Sequence, residues 1–191
     1  MLKEYKGELL FLVIVMAAYL FMATLNLSHN YSYFAVVFGI FGLIVTWKIY
    51  EKVDEQPDGN EKMREIAESI HDGAMVFLSR EYKTLGYFVA GVFILLMIVI
   101  SSQKGFWIGL WTSVSYVVGA SCSMLAGYFG MNSATSANVR TAQAAFDGGK
   151  PKALNIAFNG GAVMGLSIAS LGLVGVGGLF LLFGKSESIS V

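Results

Sequence analysis

The stretch from residue 127 to residue 158 is the part of the sequence that is most informative about the fold: GYFGMNSATSANVRTAQAAFDGGKPKALNIAF. It lies between two long apolar segments, and it places Asn, Ser, Thr, Arg, Asp and Lys among alanines at helical spacing. We expect a loop over residues 131–153. Within this loop Asn132 and Ser133 end one helix, residues 135–146 form another, and Asp147–Pro151 (DGGKP) makes a turn.

The composition of the whole chain points to a bilayer as its solvent. Of 191 residues, 55% are hydrophobic and 14% are charged, a balance that argues against a soluble domain. The formal net charge is zero and no basic run is interleaved with aromatic residues, which argues against nucleic acid as a partner. The single cysteine, Cys122, excludes a disulfide or a cysteine-based metal site within one chain. We predict an all-α integral membrane bundle.

Five stretches are long and apolar enough to be transmembrane helices, which need about 20 such residues. They are Leu9–Leu27, Tyr33–Ile49, Leu85–Ile100, Phe106–Phe129 and Ala162–Phe183. Residues 1–50 thus hold two leading helices, and residues 51–101 hold a cytoplasmic loop and an amphipathic helix that continues into the third span. Residues 102–191 hold the fourth and fifth spans. The first stretch is too long for a secretory signal and lacks a small-x-small cleavage site, so we interpret it as retained.

The distribution of basic residues predicts the orientation in the membrane. If the spans alternate, one side of the membrane receives 11 Lys and Arg residues and the other receives only Lys104 and Lys185. Positive residues accumulate on the cytoplasmic side. We therefore expect a multi-pass protein of the cell membrane with its N-terminus in the cytoplasm and its C-terminus outside.

A cytoplasmic helix is predicted just before the third span. Its apolar residues recur every three or four positions: Met63, Ile66, Ile70, Ala74, Phe77 and Leu78. Pro57–Gly59 supplies a loop and a start signal upstream. We interpret this helix as one that packs on cytoplasmic parts of its own protein; the alternative is a helix lying on the lipid surface.

Small residues at four-residue spacing predict where membrane helices approach closely. The fourth and fifth spans carry this pattern at seven positions: Ser115, Gly119, Ser123, Gly127, Gly161, Gly165 and Ala169. We expect these faces to meet each other, or to meet later helices of a longer protein. The first three spans are bulkier and are expected to be peripheral.

The residues by themselves provide no catalytic, substrate-binding or metal site. All 13 Asp and Glu residues lie outside the apolar spans, although ion pathways usually place ionisable groups inside the hydrocarbon. Glu65, Glu68 and Asp72 share a helix face, which is typical of a solvated surface and less often of a divalent-cation site. His29 and His71 lack partners at convincing ligand spacing.

Two motifs carry a resemblance to a known family. AGYFGMNSATSANVRTAQAA (residues 126–145) and ALNIAFNGGAVMGLSIASLGLVGV (residues 153–176) closely resemble the N-terminal part of the membrane-bound inorganic pyrophosphatases. IHDGAMVFLSREYKTL (residues 70–85) is also similar to that family. These proteins couple pyrophosphate hydrolysis to the transport of protons or sodium ions.

The resemblance implies an outer-ring portion of a larger pump, and hence an N-terminal fragment. It implies Mg²⁺, and for some members K⁺, as cofactors, with inorganic pyrophosphate, the bilayer, the remaining helices and a second copy of the pump as partners. The acidic motifs that bind magnesium pyrophosphate belong to later helices. We interpret the 127–158 stretch as structural, because phosphate chemistry needs metal-bridging carboxylates that it lacks. The alternative is that Arg140, Lys150 and Lys152 add positive potential at the cytoplasmic mouth. The competing function is a small non-enzymatic membrane scaffold or assembly protein that keeps the outer-ring fold.

Overall fold

A computed structural model describes residues 31–183 of the chain. The predicted span Leu9–Leu27 and the last eight residues lie outside the described range. Within that range there are three α-helices and no strands: α1 (Tyr31–Asp54), α2 (Glu61–Lys104) and α3 (Phe106–Phe183). All three are long and apolar enough to cross a membrane. The all-α membrane class is therefore confirmed, and the three described helices contain the four predicted spans that lie in this range.

The fourth and fifth predicted spans both belong to α3, which bends back at Gly149. The φ and ψ angles of Gly149 are 71° and −175°, outside the helical region. Gly149 divides α3 into a first arm (106–148) and a second arm (150–183). Pro151 follows in the first turn of the second arm, where a missing backbone N–H costs no internal hydrogen bond.

The expected loop over residues 131–153 is instead the helical end of this hairpin. Both arms continue through it, and the only break is at Gly149, within the predicted DGGKP turn. The polar residues 132–136 do not end the first arm. Ser133, Ala137 and Ala144 are buried there, so contacts with the rest of the protein stabilise helix where local sequence signals favour a stop.

Helix α2 runs without interruption through the predicted cytoplasmic helix and the third span. It begins after Asn60, whose side-chain oxygen accepts a hydrogen bond from the Met63 N–H at 3.0 Å. Gly59, with φ of 88°, closes the preceding loop. The 44 residues of α2 extend about 66 Å at 1.5 Å per residue, far more than the ~30 Å of bilayer hydrocarbon. Part of α2 therefore projects beyond the membrane.

The projecting parts of the three helices form what we call the polar end, comprising residues 51–84 and 130–161. Of the charged residues in the described part of the chain, only Lys48 and Lys104 lie outside the polar end. Its interior is nevertheless apolar, with a buried cluster of Val53, Ala137, Ala144, Ala153 and Ile156. This cluster joins α1 to both arms of α3.

Close backbone approach holds α1 against the second arm. A Cβ atom placed on Gly39 would lie 2.6 Å from a methyl carbon of Val174 and 2.7 Å from the Ser170 carbonyl oxygen. Gly42 faces the Ser170 side chain in the same way. The prediction that this span is peripheral is therefore wrong for one face of α1, which forms a tight helix–helix interface.

The two arms of α3 meet through small residues as well. A Cβ atom on Gly160 would lie 2.5 Å from the Ala137 Cβ, and the Ser133 hydroxyl donates to the Gly160 carbonyl oxygen at 3.2 Å. One turn along, Gly130 faces Met164. The hairpin is thus closely packed from its bend to the edge of the apolar spans.

The seven predicted packing residues lie beside this contact and do not form it. Added Cβ atoms on Gly119, Gly161 and Gly165 would meet nothing within 4 Å, and Gly127 alone faces another helix, at Tyr82 of α2. Ser123 and Ala169 are exposed, while Ser115 is half-buried and donates to the Trp111 carbonyl of its own helix. That these faces receive later helices of a longer protein stays a prediction.

The predicted packing residues lie beside the contact between the two arms for a geometric reason. Four residues overshoot one helical turn by about 40°, so strict four-residue spacing drifts around the helix. The buried residues of the second arm instead alternate steps of three and four, at Ala153, Ile156, Gly160, Val163, Ser167 and Ser170. This alternation averages close to one turn and keeps a straight contact line.

Candidate functional site

The strongest polar cluster of the polar end is centred on Arg140 in the first arm of α3. Its guanidinium Nη2 lies 2.6 Å from Oδ1 of Asp54, the last residue of α1. The same nitrogen donates to the Asp54 carbonyl oxygen at 2.9 Å, and Nε donates to the Gln56 carbonyl oxygen at 3.1 Å. Nη1 donates to the hydroxyl of Ser136 at 2.7 Å. The Arg140 side chain is only 14% exposed.

This geometry makes Arg140 a cap for the C-terminal end of α1. The last carbonyl groups of a helix have no partners within the helix, and they carry partial negative charge that a cation stabilises. A planar guanidinium can bond several such oxygens together, which a lysine ammonium cannot do in the same geometry. Ser136 completes the cluster by donating to the Asp54 carboxylate at 3.0 Å.

A polar cleft of about 370 Å³ opens next to the cluster, between α2 and the first arm. Two of its charged side chains pair with each other: Arg64 lies 3.0 Å from the Asp58 carboxylate. Nδ1 of His71 lies 2.9 Å from the Thr135 hydroxyl. That hydroxyl also donates to carbonyl oxygens of its own helix, and its contact with His71 joins α2 to the first arm of α3.

The three basic residues predicted to contribute positive potential are not brought together. Arg140 is neutralised by Asp54 within the chain. Lys150 and Lys152 are exposed beside the bend at Gly149, roughly 13 Å further along the hairpin at the helical rise. Any field from this hairpin onto an anionic ligand would therefore come mainly from Lys150 and Lys152.

Carboxylates in the described part of the chain do not converge on a metal site. No group of three or more His, Cys, Asp or Glu residues is placed to hold a metal ion within residues 31–183. Of the three acids noted on one face of α2, Glu65 pairs with Lys62 at 2.7 Å on an exposed surface. The arrangement supports helix capping and packing, and these residues do not supply the carboxylate cluster that metal-assisted phosphoryl transfer requires.

Sequence reasoning missed the partner of Arg140. Ser136 and Arg140 are four residues apart and therefore share a helix face, which is a local signal. Asp54 is 86 positions away in the chain and has no such signal. Tyr50 was missed for the same reason, and its hydroxyl accepts from the Asn132 side chain at 3.1 Å.

Comparison with known proteins gives a consistent result. Residues 40–191 match the family described as inorganic H+ pyrophosphatase. A putative K(+)-stimulated pyrophosphate-energized sodium pump of Clostridium tetani is 45% identical over 138 residues, which cover 72% of this chain and 19% of that protein. A K(+)-insensitive pyrophosphate-energized proton pump of Pyrobaculum aerophilum is 41% identical over 154 residues, covering 81% of this chain and 21% of the relative.

A third relative, the K(+)-stimulated pyrophosphate-energized sodium pump of Thermotoga maritima, is 40% identical over 71% of this chain and 18% of its own length. The chain thus spans about a fifth of the curated relatives that it matches. The matched region includes all of α2, the Arg140 cluster and the α3 hairpin. This chain therefore belongs to the inorganic H+ pyrophosphatase family.

Proposed function

We propose that this chain is the N-terminal part of a pump that uses the hydrolysis of inorganic pyrophosphate to move protons or sodium ions across a membrane. The match over residues 40–191 carries the proposal. Relatives named as proton pumps and as sodium pumps match at similar identity, 41% and 45%. Both kinds of pump therefore share whatever this segment contributes. This favours a role in supporting the helical bundle over a role in selecting the ion.

The chemical step belongs to other parts of the complete pump. Hydrolysis of pyrophosphate needs Mg²⁺ held by carboxylates to stabilise the transferred phosphoryl group, and residues 31–183 bring no such set together. The α3 hairpin and α2 provide a rigid wall against which later helices can pack. K⁺ stimulation and assembly with a second copy of the pump, both implied by the family resemblance, would likewise depend on the complete protein.

The proposed orientation places the polar end in the cytoplasm. Among the described residues, nine of the ten Lys and Arg side chains lie on that side of the apolar spans and Lys104 lies on the other, which matches the positive-inside pattern. Pyrophosphate would then approach from the side on which Lys150 and Lys152 are exposed. These two charges would raise its local concentration by electrostatic attraction.

A chimera tests the proposal. Residues 40–191 would replace the matching segment of the Clostridium tetani relative, and Mg²⁺-dependent phosphate release would be measured in purified membranes. We expect hydrolysis by the chimera and none by the 191-residue chain alone. A chimera carrying Gly160→Leu, which disrupts the hairpin, is the negative control.

Two results would contradict the proposal. A chimera that inserts and is stable but hydrolyses no pyrophosphate would favour the competing function, a non-enzymatic membrane scaffold. Phosphate release by the purified 191-residue chain, above that of host membranes, would show that the chain carries a catalytic site of its own.

A further inference from the structure

A second cavity lies at the boundary between the polar end and the apolar spans, enclosed by α1 and both arms of α3. Its volume is about 400 Å³, within the range of pockets that hold small organic ligands. Leu43 and Leu171 line its apolar part, and Tyr50 and Asn132 line its polar part. Arg140, Asp54 and Ser136 do not line it, and it shares Tyr50 and Asn132 with the polar cleft beside the Arg140 cluster.

Ser167 provides the main observation at this cavity. It lines the cavity with 1% of its surface exposed, and its hydroxyl has no hydrogen-bond partner among the described residues. Other hydroxyls of α3 behave differently: those of Ser113 and Ser121 donate to the carbonyl four residues earlier at 2.8 Å. A buried hydroxyl without a partner is unfavourable, so this group is suited to a ligand that supplies an acceptor.

The rest of the lining defines the chemistry of that ligand. Among the described residues, no side chain around the cavity is charged at neutral pH, which disfavours an ionic ligand. Thr46 already donates its hydrogen to the Gly42 carbonyl at 2.7 Å. Tyr50 accepts from Asn132 and keeps its own hydrogen for a further acceptor. The cavity therefore offers hydroxyl donors inside apolar walls.

The position of the cavity relative to the membrane further limits the class of ligand. Trp47, Tyr50 and Tyr128 stand at its polar side, as aromatic residues do at the interface between lipid headgroups and hydrocarbon. Leu43 lies about two helical turns from Tyr50, and Leu171 about one turn from Ser167, both towards the apolar side. A membrane glycerolipid has matching chemistry, because an ester carbonyl joins its polar headgroup to an apolar chain.

We propose that this cavity binds one glycerolipid, with an acyl chain between Leu43 and Leu171 and an ester carbonyl that accepts the hydrogen bond of Ser167. The lipid would fill the gap between α1 and the hairpin. It would thereby connect the bilayer to the interface between α1 and the second arm, which includes Gly39 and Gly42.

The test compares two lipids that differ only at the proposed acceptor. The purified 191-residue chain would be titrated with ester-linked and with ether-linked phosphatidylcholine, and retained lipid would be counted by native mass spectrometry. We expect the ester lipid to bind about two- to tenfold more tightly, the difference that one neutral hydrogen bond makes. The preference should vanish in Ser167→Ala and remain in Ser121→Ala, whose hydroxyl bonds its own helix.

A second measurement locates the lipid. A phosphatidylcholine with a photoreactive diazirine in its chain should form adducts mainly with the peptides around Leu43 and Leu171. Equal binding of the two lipids, or an ester preference that persists in Ser167→Ala, would overturn the assignment of Ser167. Adducts spread evenly over the lipid-facing helices would overturn the cavity as the lipid site.

Discussion

Gly160 of the second arm of α3 packs directly against Ala137 of the first arm: a Cβ atom on Gly160 would lie 2.5 Å from that of Ala137. The next residue, Gly161, faces open space. Two consecutive glycines thus have opposite roles. Gly160 permits the contact that closes the hairpin, and Gly161 does not take part in it.

This difference predicts the effect of adding one methyl group. Gly160→Ala should lower the free energy of unfolding by about 1 to 3 kcal/mol, as overpacking does, because both arms must shift to admit the new Cβ. Gly161→Ala, the matched control, should be neutral or slightly stabilising, since alanine favours helix. Thermal unfolding of the detergent-purified chain measures both. Equal losses at the two positions would be inconsistent with the described contact.

We expect Arg140 to contribute far more to the stability of the polar end than Arg64 does through its pair with Asp58. Arg140→Ala removes bonds to the end of α1, leaving the Gln56 carbonyl without its Arg140 donor and the Asp54 carboxylate with the Ser136 hydroxyl alone, at a cost of about 1.5 to 3 kcal/mol per charged hydrogen bond lost. Arg64→Ala breaks an exposed pair with Asp58 and should cost less than about 1 kcal/mol.

Limited proteolysis between α1 and α2 provides the measurement for the two arginine variants, because release of the α1 end exposes residues 55–60. We expect faster cleavage in Arg140→Ala, intermediate cleavage in Arg140→Lys, and wild-type cleavage in Arg64→Ala. Similar rates in all variants would mean that Arg140 does not hold the end of α1.

The bend of the hairpin should depend on the backbone conformation of Gly149. Its φ of 71° and ψ of −175° fall in a region that residues with a Cβ rarely adopt, with a cost of about 1 to 3 kcal/mol. Gly149→Ala should therefore destabilise the chain by about that amount. A Cβ atom on neighbouring Gly148 would meet only the flexible Lys152 side chain, so Gly148→Ala is the control and should be nearly neutral in the same thermal assay.

The proposed orientation can be checked by labelling in intact cells. Cys122 is the only cysteine, so Cys122→Ala gives a background for single cysteines. Ser102→Cys, near the turn between α2 and α3, should react with a membrane-impermeant thiol reagent. Lys152→Cys, exposed at the polar end, should react only after the cells are opened. The reverse pattern would place the polar end outside the cell.

Much of the architecture follows from local sequence patterns. The apolar runs predict the position of each described span, because a run of about 20 such residues matches the hydrocarbon thickness. The Pro57–Gly59 loop and the Gly149 turn are also visible, since special backbone angles require special residues. The prediction that Asn132 and Ser133 end a helix was wrong, because the burial of Ser133, Ala137 and Ala144 stabilises helix more strongly than the local stop signals oppose it.

What the sequence by itself determined is the class of protein, the family motifs, the apolar stretches long enough to cross a membrane and the turn at Gly149, all of which depend on residues close together in the chain. Only the tertiary structure decided which small residues touch. Gly160, not Gly161, faces Ala137, because one residue turns a helical side chain by about 100°. Likewise, only the fold brings Arg140 to Asp54 and leaves Ser167 without a partner in the described part of the chain, since long-range contacts depend on how whole helices are oriented and packed.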